Sequence, residues 1–242
     1  MKQIILSDIH GNLEALKSVL ESAEKEGEIK YCLGDIIGYG ANPSECLSLI
    51  RQFHLITVAG NHEVAVVHPG LTAVFNPEAR RAIFWTRDHL TNQELTEIES
   101  FPIQRILGEI VLVHSSLIEP EYWHYLYSEE DVEANFQCIK EGQICFFGHS
   151  HVPVIYSWKA GKLSVLSTEK EERLDLSAKY LINVGAVGQP RDGDPRAAYG
   201  VFDPDERTII VRRVEYDIAT AQKKIIEANL PAFLASRLSL GR

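Results

Sequence analysis

Two histidines separated by one residue, His149 and His151, end the segment ICFFGHSH at positions 144–151. The apolar run before them is typical of a buried strand, and a glycine joins that run to the histidines. Two imidazoles at this spacing can bind a transition-metal ion, but a polar loop that happens to contain both rings is an equally simple interpretation. The segment by itself leaves both interpretations open.

Further side chains able to bind metal follow other predicted strands. They are Asp8 and His10 in SDIHG, Asp35 in LGDIIGYG, Asn61 and His62 in AGNHE, and His114 in VHSS. Each lies within about four residues of the carboxyl end of an apolar run, at the edge where ligand sites form in open α/β sheets. The pattern therefore predicts that these side chains and the two histidines of GHSH converge on one site.

Each of these residues also has a purely structural interpretation. Asp8 could cap the following helix, and His114 could be a buried histidine with satisfied hydrogen bonds. Asp35 and Asn61 each follow a glycine and could be turn residues. None of these interpretations explains why all the residues follow strands at the same predicted edge, so together they favour metal binding.

The types of donor limit the metal. Oxygen and imidazole donors without a thiolate suit Mn²⁺, Fe, Zn²⁺, Ni²⁺ or Co²⁺ and disfavour Cu(I), and of these we expect Mn²⁺. The donors are Asp8, His10, Asp35, Asn61, His114, His149 and His151. They are too many for one tetrahedral ion, but they fit two divalent ions that share a carboxylate, and Asp35 is the natural bridge.

Two ions sharing a carboxylate have a recognisable chemistry. Ions roughly 3.5–4 Å apart can bind a phosphate and hold a hydroxide between them for in-line attack. His62 follows Asn61 directly, so its imidazole is expected beside the metals without binding them. A leaving alkoxide needs a proton, and we expect His62 to supply it.

This set of motifs resembles that of the calcineurin-like metallophosphoesterase superfamily, in its bacterial small phosphodiesterase-like branch. The pattern D-x-H, G-D-x-x-G, G-N-H-(D/E), H and G-H-x-H occurs in order as DIH, GDIIG, GNHE, VH and GHSH between residues 8 and 151. The resemblance implies an α/β fold of two mixed β-sheets packed as a sandwich and flanked by helices. It also implies a first metal bound by Asp8, His10, Asp35 and His151, and a second bound by Asp35, Asn61, His114 and His149. By the same resemblance, His62 and the shared Asp35 are the catalytic residues.

Two positions depart from the family pattern. The acid after the motif histidine is usually Asp, and here it is Glu63, which could also orient His62 but has a longer side chain. The residue after the histidine of the fourth motif is commonly glycine, and here it is Ser115. The second departure affects the expected backbone geometry and not metal binding.

A later segment, NVGAVGQPRDGDPRAAYGVFD, resembles a signature of bacterial members close to the small phosphodiesterases. Its glycines permit close approach of the backbone, and Arg191 or Arg196 could contact a substrate phosphate. The alternative is a surface hairpin whose arginine and aspartate residues pair with one another. Arg191 and Arg196 are therefore candidate substrate-binding residues.

Periodicity and capping predict the elements that position these residues. Apolar runs indicate strands at 3–6, 30–33, 55–59, 110–113 and 144–147, and helices are expected to begin near residues 13, 42, 76, 91 and 128. After residue 150, hairpin strands are expected at 154–158, 163–167, 180–184, 198–202 and 208–214, followed by a helix at 218–229 and a short tail. This order predicts one domain of residues 1–242 with two packed sheets. By the family resemblance, the hairpin-rich half would form the second sheet.

Composition limits the partners. The formal net charge of −10 disfavours nonspecific binding to nucleic acid or to an anionic membrane. No apolar run approaches the roughly 18 residues that span a bilayer, and the N-terminus does not resemble a signal peptide. The cysteines, at positions 32, 46, 138 and 145, form no C-x-x-C pair. This usage predicts a cytoplasmic protein, while the oligomeric state stays unknown.

The predicted function is two-metal hydrolysis of phosphate mono- or diesters, with small phosphoesters or nucleotides as substrates. A protein Ser/Thr phosphatase and a dinucleoside polyphosphate hydrolase are alternatives, since the superfamily hosts both and the choice depends on the substrate pocket. Residues 64–81 and 120–127 are candidate pocket walls, whose aromatic residues could stack a base or belong to the core. A non-catalytic scaffold on the same fold would be expected to lack His62 or a metal ligand, and this chain retains them all.

Overall fold

The strands of the chain form two sheets, and the computed structural model describes all residues from 1 to 242. The strands are β1 (Gln3–Leu6), β2 (Glu28–Cys32), β3 (Ile56–Thr57), β4 (Gln104–Leu107), β5 (Ile110–Val113), β6 (Ile144–Phe147), β7 (Val154–Lys159), β8 (Lys162–Leu166), β9 (Glu172–Arg173), β10 (Lys179–Asn183), β11 (Ala197–Asp203) and β12 (Thr208–Val214). The helices are α1 (Leu13–Ala23), α2 (Pro43–Gln52), α3 (Asn61–Val67), α4 (Pro77–Asp88), α5 (Asn92–Glu99), α6 (Glu129–Phe136), α7 (Ile218–Glu227) and α8 (Ala232–Ser236). Short 3-10 turns occur at Pro69–Val74, Pro120–Tyr122 and Leu238–Leu240.

Each sheet has six strands and mixes parallel with antiparallel pairs. The first sheet has the order β3-β2-β1-β11-β12-β9, and the second has the order β4-β5-β6-β10-β7-β8. The parallel neighbours are β1, β2 and β3 in the first sheet and β5, β6 and β10 in the second. The predicted architecture of two mixed sheets flanked by helices is confirmed.

The expectation that the hairpin-rich half forms the second sheet is wrong. That half is divided: β9, β11 and β12 extend the first sheet, while β7, β8 and β10 extend the second. The division follows from two pairings across the sequence, Ile4 with Val201 and Leu181 with Cys145. Both sheets are therefore completed only when the second half of the chain has folded onto the first.

The core has layers on both sides of each sheet, which explains the continuous apolar runs. In β1, Ile5 packs in the cluster between the sheets, whereas Ile4 and Leu6 pack in the cluster beneath α1 and α2. In β6, Phe146 belongs to the cluster between the sheets and Cys145 to the cluster on the other face. Because strands covered on both faces need apolar residues at every position, alternation is absent from these runs.

Six of the eight helices begin where the sequence predicts, although one cap differs, and α3 and α8 were not predicted. Asn76 accepts the N–H of Ala79 at 2.8 Å at the start of α4, and Thr91 and Ser128 form capping boxes at the starts of α5 and α6. Asn42 occupies the N-cap position of α2, but its side chain donates to Glu45 at 2.8 Å instead of capping the backbone. None of the helices combines the length and the apolar character needed to cross a membrane.

The C-terminal segment is structured, which corrects the expected short tail. After α7 the chain turns at Leu230 and forms α8 and the 3-10 turn Leu238–Leu240. Leu230, Leu234 and Leu238 are buried against Ala82 of α4 and Ile225 of α7. The three leucines recur every four residues, as in a helix, but Pro231 and the shortness of α8 divide this stretch into separate small elements.

Candidate active site

The predicted ligands lie at one edge that both sheets share. Asp8 and His10 follow β1, Asp35 follows β2, and Asn61 is the first residue of α3 after β3. His114 follows β5 directly, and His149 and His151 follow β6. All of these strands run parallel to a neighbour within their sheet, so their carboxyl ends meet at the same edge.

Most of these ligands have a backbone conformation that side chains normally avoid. The φ angles are 52° for Asp8, 50° for His10, 51° for Asp35, 66° for His149 and 61° for His151. Positive φ is uncommon for residues other than glycine, and such strain concentrates at functional sites. The left-handed turns at the strand ends direct these side chains into one small volume.

A first group of donors consists of Asp8, His10, Asp35 and His151, whose ligand atoms all lie within 4.8 Å of one another. His10 Nε2 and His151 Nε2 are 3.0 Å apart, and His151 Nε2 is 3.3 Å from Asp8 Oδ1. Asp8 is fixed by the Ser7 hydroxyl, which donates to Oδ2 at 2.6 Å. All four side chains are buried.

A second group consists of Asp35, His114 and His149, whose ligand atoms also lie within 4.8 Å of one another. His114 Nε2 is 3.3 Å from Asp35 Oδ2. Asn61 begins the adjacent helix, and its Oδ1 is buried without a hydrogen-bond partner. Asp35 is the residue that the two groups have in common.

Backbone carbonyls fix the protonation of three of the histidines. The Nδ1 atoms of His10, His114 and His151 lie 3.3, 2.8 and 2.6 Å from the carbonyl oxygens of Ile37, Leu33 and Gln189. A carbonyl can only accept, so in the neutral ring Nδ1 carries the proton and the Nε2 lone pair faces the site. This arrangement is the one that orients histidines toward a metal ion.

The donor set fits divalent cations. With Nδ1 protonated, no proton remains between His10 Nε2 and His151 Nε2, and two lone pairs 3.0 Å apart repel unless a cation lies between them. Burial keeps the pKa of His10 and of His151 well below the ordinary value and raises the pKa of Asp8 to about 6. Burial also opposes protonation of His114, but Asp35 raises the pKa of that ring to about 9. Without a cation, the negative charge of the buried carboxylates is thus balanced by a protonated histidine, His114.

Glu63 holds the loop that carries Asp35 and does not contact the His62 ring nitrogens. Its carboxylate accepts the N–H groups of Asp35 at 2.6 Å, Ile36 at 2.8 Å, Ile37 at 3.2 Å and Gly60 at 2.8 Å. The longer side chain of Glu63 therefore hydrogen-bonds the backbone that follows β2 and β3. The expectation that this acid could orient His62 is not supported by its contacts.

His62 lies beside the donor groups among aromatic rings. Its ring centroid is 4.4 Å from Tyr39 and 4.7 Å from His10, and its Nε2 is 4.0 Å from Asp35 Oδ2. Its Nδ1 is buried without a partner, and a Cβ on Gly38 would come within 2.1 Å of that atom, so residue 38 must be glycine. Burial lowers the pKa of His62 to about 4.

The two candidate arginines have different surroundings. Arg191 donates to Gln189 Oε1 at 2.9 Å, and its guanidinium lies 5.9 Å from the Tyr39 ring centroid beside the first donor group. Its Nε is buried without a partner. Arg196 instead forms an exposed bidentate ion pair with Asp194, in which Nη2 donates to Oδ2 at 2.7 Å and Nε donates to Oδ1 at 3.1 Å. The structure therefore brings Arg191 to the site. Arg196 lies at the surface and is paired with an aspartate, which is the alternative that the sequence left open.

Aromatic residues of the predicted walls contact the ligands, and the structure adds residues that the sequence did not indicate. The Tyr125 ring stacks on His149 with centroids 4.0 Å apart, and the Trp123 ring is 5.9 Å from that of His114.

The sequence patterns did not single out Tyr39, although its position between Gly38 and Gly40, directly after the second motif, is a usable signal. Arg237 was also missed: burial, and then repulsion from Arg191, lower its pKa to about 10. No local signal marks Arg237, because only the fold of the C-terminal segment brings it near Arg191.

The fold and this arrangement of donors define the class of protein. Residues 1–207 match the model of the calcineurin-like phosphoesterase superfamily domain, and the chain belongs to that superfamily. The crystal structure of a metallophosphoesterase from Sphaerobacter thermophilus is similar over 100% of both chains, with 40% identity and a TM-score of 0.86.

Two relatives extend the comparison. An uncharacterized protein of Methanocaldococcus jannaschii is 41% identical over 245 residues, which cover 98% of this chain and 97% of that protein. The phosphodiesterase YfcE of Escherichia coli is 25% identical over 218 residues, which cover 87% of this chain and 91% of that protein. Membership of the superfamily implies divalent metal ions, and the buried groups of Asp and His residues could bind them.

Proposed function

We propose that this protein is a two-metal phosphoesterase that hydrolyses small phosphate diesters or monoesters. The observation that carries the proposal is the pair of buried donor groups that have Asp35 in common. In this proposal Asp8, His10, Asp35 and His151 hold one ion, and Asp35, Asn61, His114 and His149 hold the other. The donor types suit Mn²⁺, Fe, Zn²⁺, Ni²⁺ or Co²⁺, and of these we propose Mn²⁺.

The chain's own residues have separate tasks in the reaction. When bound, divalent ions supply Lewis acidity toward phosphate oxygens and a more acidic water. Arg191 binds a phosphate oxygen, since its guanidinium has no carboxylate partner and its Nε is unpaired. His62 donates a proton to the leaving oxygen, and the negative charge of a phosphate beside the ring favours the protonated imidazole that this step requires.

Two alternatives within hydrolysis are less well supported. The name of the YfcE relative favours diesters over phosphoproteins or dinucleoside polyphosphates. A non-catalytic scaffold on this fold is disfavoured because His62 and every proposed ligand are present. We also propose that residues 1–242 act as one domain, and that the protein works in a reducing compartment such as the cytoplasm, since all four cysteines are free.

Hydrolysis of a chromogenic phosphodiester tests the proposal. The protein, stripped by chelation and resupplied with Mn²⁺, should turn over bis(4-nitrophenyl) phosphate, and the stripped protein should not. Asp35→Asn, prepared in parallel and checked for its folded structure by circular dichroism, is the matched inactive control. If wild type with Mn²⁺, Zn²⁺, Ni²⁺ and Co²⁺ shows no more activity than Asp35→Asn on diesters and monoesters, the proposal is wrong.

A further inference from the structure

An open apolar pocket adjoins the candidate active site. Its cavity volume is about 340 Å³, and eight of its eleven lining residues are hydrophobic. The residues that matter here are Asn61, Leu71, Val74, Phe75, Tyr122 and Trp123. They belong to the start of α3, the segment around the 3-10 turn Pro69–Val74, and the segment around the 3-10 turn Pro120–Tyr122.

The pocket shares its inner wall with the proposed metal centre. Asn61, a proposed ligand, is itself part of the lining. The ring of Phe75 lies 5.6 Å from that of His62, and the ring of Trp123 lies 5.9 Å from that of His114. A group attached to a phosphate at the centre would therefore enter the pocket directly beside His62.

The large apolar side chains around this pocket are unusually exposed. Val74 is 89% exposed, Tyr122 is 64% exposed and Leu71 is 54% exposed. Apolar side chains clustered in a concave surface beside convergent polar groups are typical of ligand sites. Packing within the protein leaves about half or more of the surface of each of these residues accessible, and almost all of that of Val74.

The charges around the pocket restrict what it can bind. Glu121 is the only ionisable acid or base among the lining residues apart from the weakly acidic Tyr122, and no lysine, arginine or histidine is present. An anionic group would be repelled by Glu121 and would lose its hydration without a compensating cation. Arg191 contacts Tyr39 and Gln189, which are not part of this lining. The site thus separates a cationic side for phosphate from an apolar side.

We infer that this pocket binds the leaving group of the phosphoester and that this group is an uncharged aromatic ring. The inference rests on the proposed phosphoesterase function. Phe75, Tyr122 and Trp123 offer aromatic faces and edges against which a planar ring packs favourably. With the ring in the pocket, the ester oxygen lies next to His62, which is the position that protonation of the leaving group requires. Substrates whose leaving group is itself a nucleotide, such as dinucleoside polyphosphates, are disfavoured by Glu121.

Matched esters and matched variants test the inference. The substrates are methyl phenyl phosphate and methyl 3-carboxyphenyl phosphate, which have leaving groups of similar basicity but different charge. Wild type should prefer the phenyl ester in kcat/KM by roughly tenfold or more, the discrimination expected of an apolar pocket. Val74→Asp should lose most of its activity on the phenyl ester. Val165→Asp, at a position on β8 that is 64% exposed and outside the pocket, should retain wild-type values.

Binding of 1-naphthol, followed by NMR chemical shifts, gives a readout that does not depend on turnover. It should bind wild type and Val165→Asp but bind Val74→Asp at least about tenfold more weakly. Equal kcat/KM for the two esters, or equal effects of the two variants, would overturn the inference. The proposed function would stand in that case, because the esters would still be hydrolysed. Absence of turnover of both esters by a wild-type protein that hydrolyses bis(4-nitrophenyl) phosphate would overturn the inference alone. The proposed function is overturned only if wild type is also no more active than Asp35→Asn on diesters and monoesters.

Discussion

The Glu63 carboxylate accepts the backbone N–H of Asp35 at 2.6 Å. It also accepts N–H groups from Ile36, Ile37 and Gly60, so one side chain from α3 joins the loops that follow β2 and β3. Those loops carry Asp35 and Asn61, two of the proposed ligands. Glu63 therefore positions the loops of the proposed metal centre and does not hydrogen-bond the ring of His62.

Replacing Glu63 should reduce both stability and metal binding. Glu63→Gln keeps one acceptor oxygen but turns an NH₂ group toward backbone N–H donors, so the free energy of unfolding should fall by about 2–4 kcal/mol. Chemical denaturation of the metal-free protein measures this change, and calorimetric titration measures the accompanying loss of metal affinity. Glu99→Gln, at an exposed position of α5, is the control and should change stability by less than about 0.5 kcal/mol. A Glu63→Gln protein as stable as that control would contradict the positioning role.

Asp35 and His151 should differ in how many metal ions their replacement affects. Asp35 belongs to both donor groups, so Asp35→Asn should weaken both sites, whereas His151→Ala should mainly weaken the first. Titration of Mn²⁺ into the two variants, with elemental analysis of reconstituted samples, separates these outcomes. Wild type should hold two ions per chain. Equal loss of a single site in both variants would refute Asp35 as the bridge.

His62→Ala should retain its metal content but lose activity in a way that depends on the leaving group. General acid catalysis typically contributes roughly 10²–10⁴-fold, so kcat on an alkyl phosphoester should fall by about that factor. A nitrophenolate leaves without protonation, and kcat on nitrophenyl esters should fall far less. The same factor on both substrates would mean that His62 positions or stabilises the phosphoryl group and does not donate the proton.

Arg191 and Arg196 form a matched pair for testing phosphate binding, because they are five positions apart and have opposite surroundings. Arg191→Ala should raise KM by roughly 10–100-fold, as expected for a lost hydrogen bond between charged groups. Arg196 is held by Asp194 at the surface, so Arg196→Ala should leave KM unchanged. Steady-state kinetics on one diester measures both, and equal KM values for the two variants would exclude Arg191 from substrate binding.

The local sequence was sufficient for most of the elements and for the identity of the proposed ligands, although it did not indicate α3, β4, β9 or α8. The bounds of β1, β5, β6 and β12 agree with the predicted ones, because these strands are followed by Ser7, His114, Gly148 and Glu215, none of which continues an apolar run. Each proposed ligand follows a strand within a few residues. Its approximate position therefore depends on where that strand ends, and strand ends can be read locally.

Several features were decided only by contacts between distant parts of the chain. The division of the C-terminal strands depends on the pairing of β1 with β11 and of β6 with β10, and no local pattern specifies a strand's partner. The hydrogen bonds of Glu63, the different surroundings of Arg191 and Arg196, and the approach of Arg237 each depend on a segment that is remote in sequence or on a loop conformation. The sequence alone determined which donors follow which strands, because that relation is covalent and short-range. The tertiary structure alone decided which side chains those donors meet, because such contacts depend on packing across both sheets.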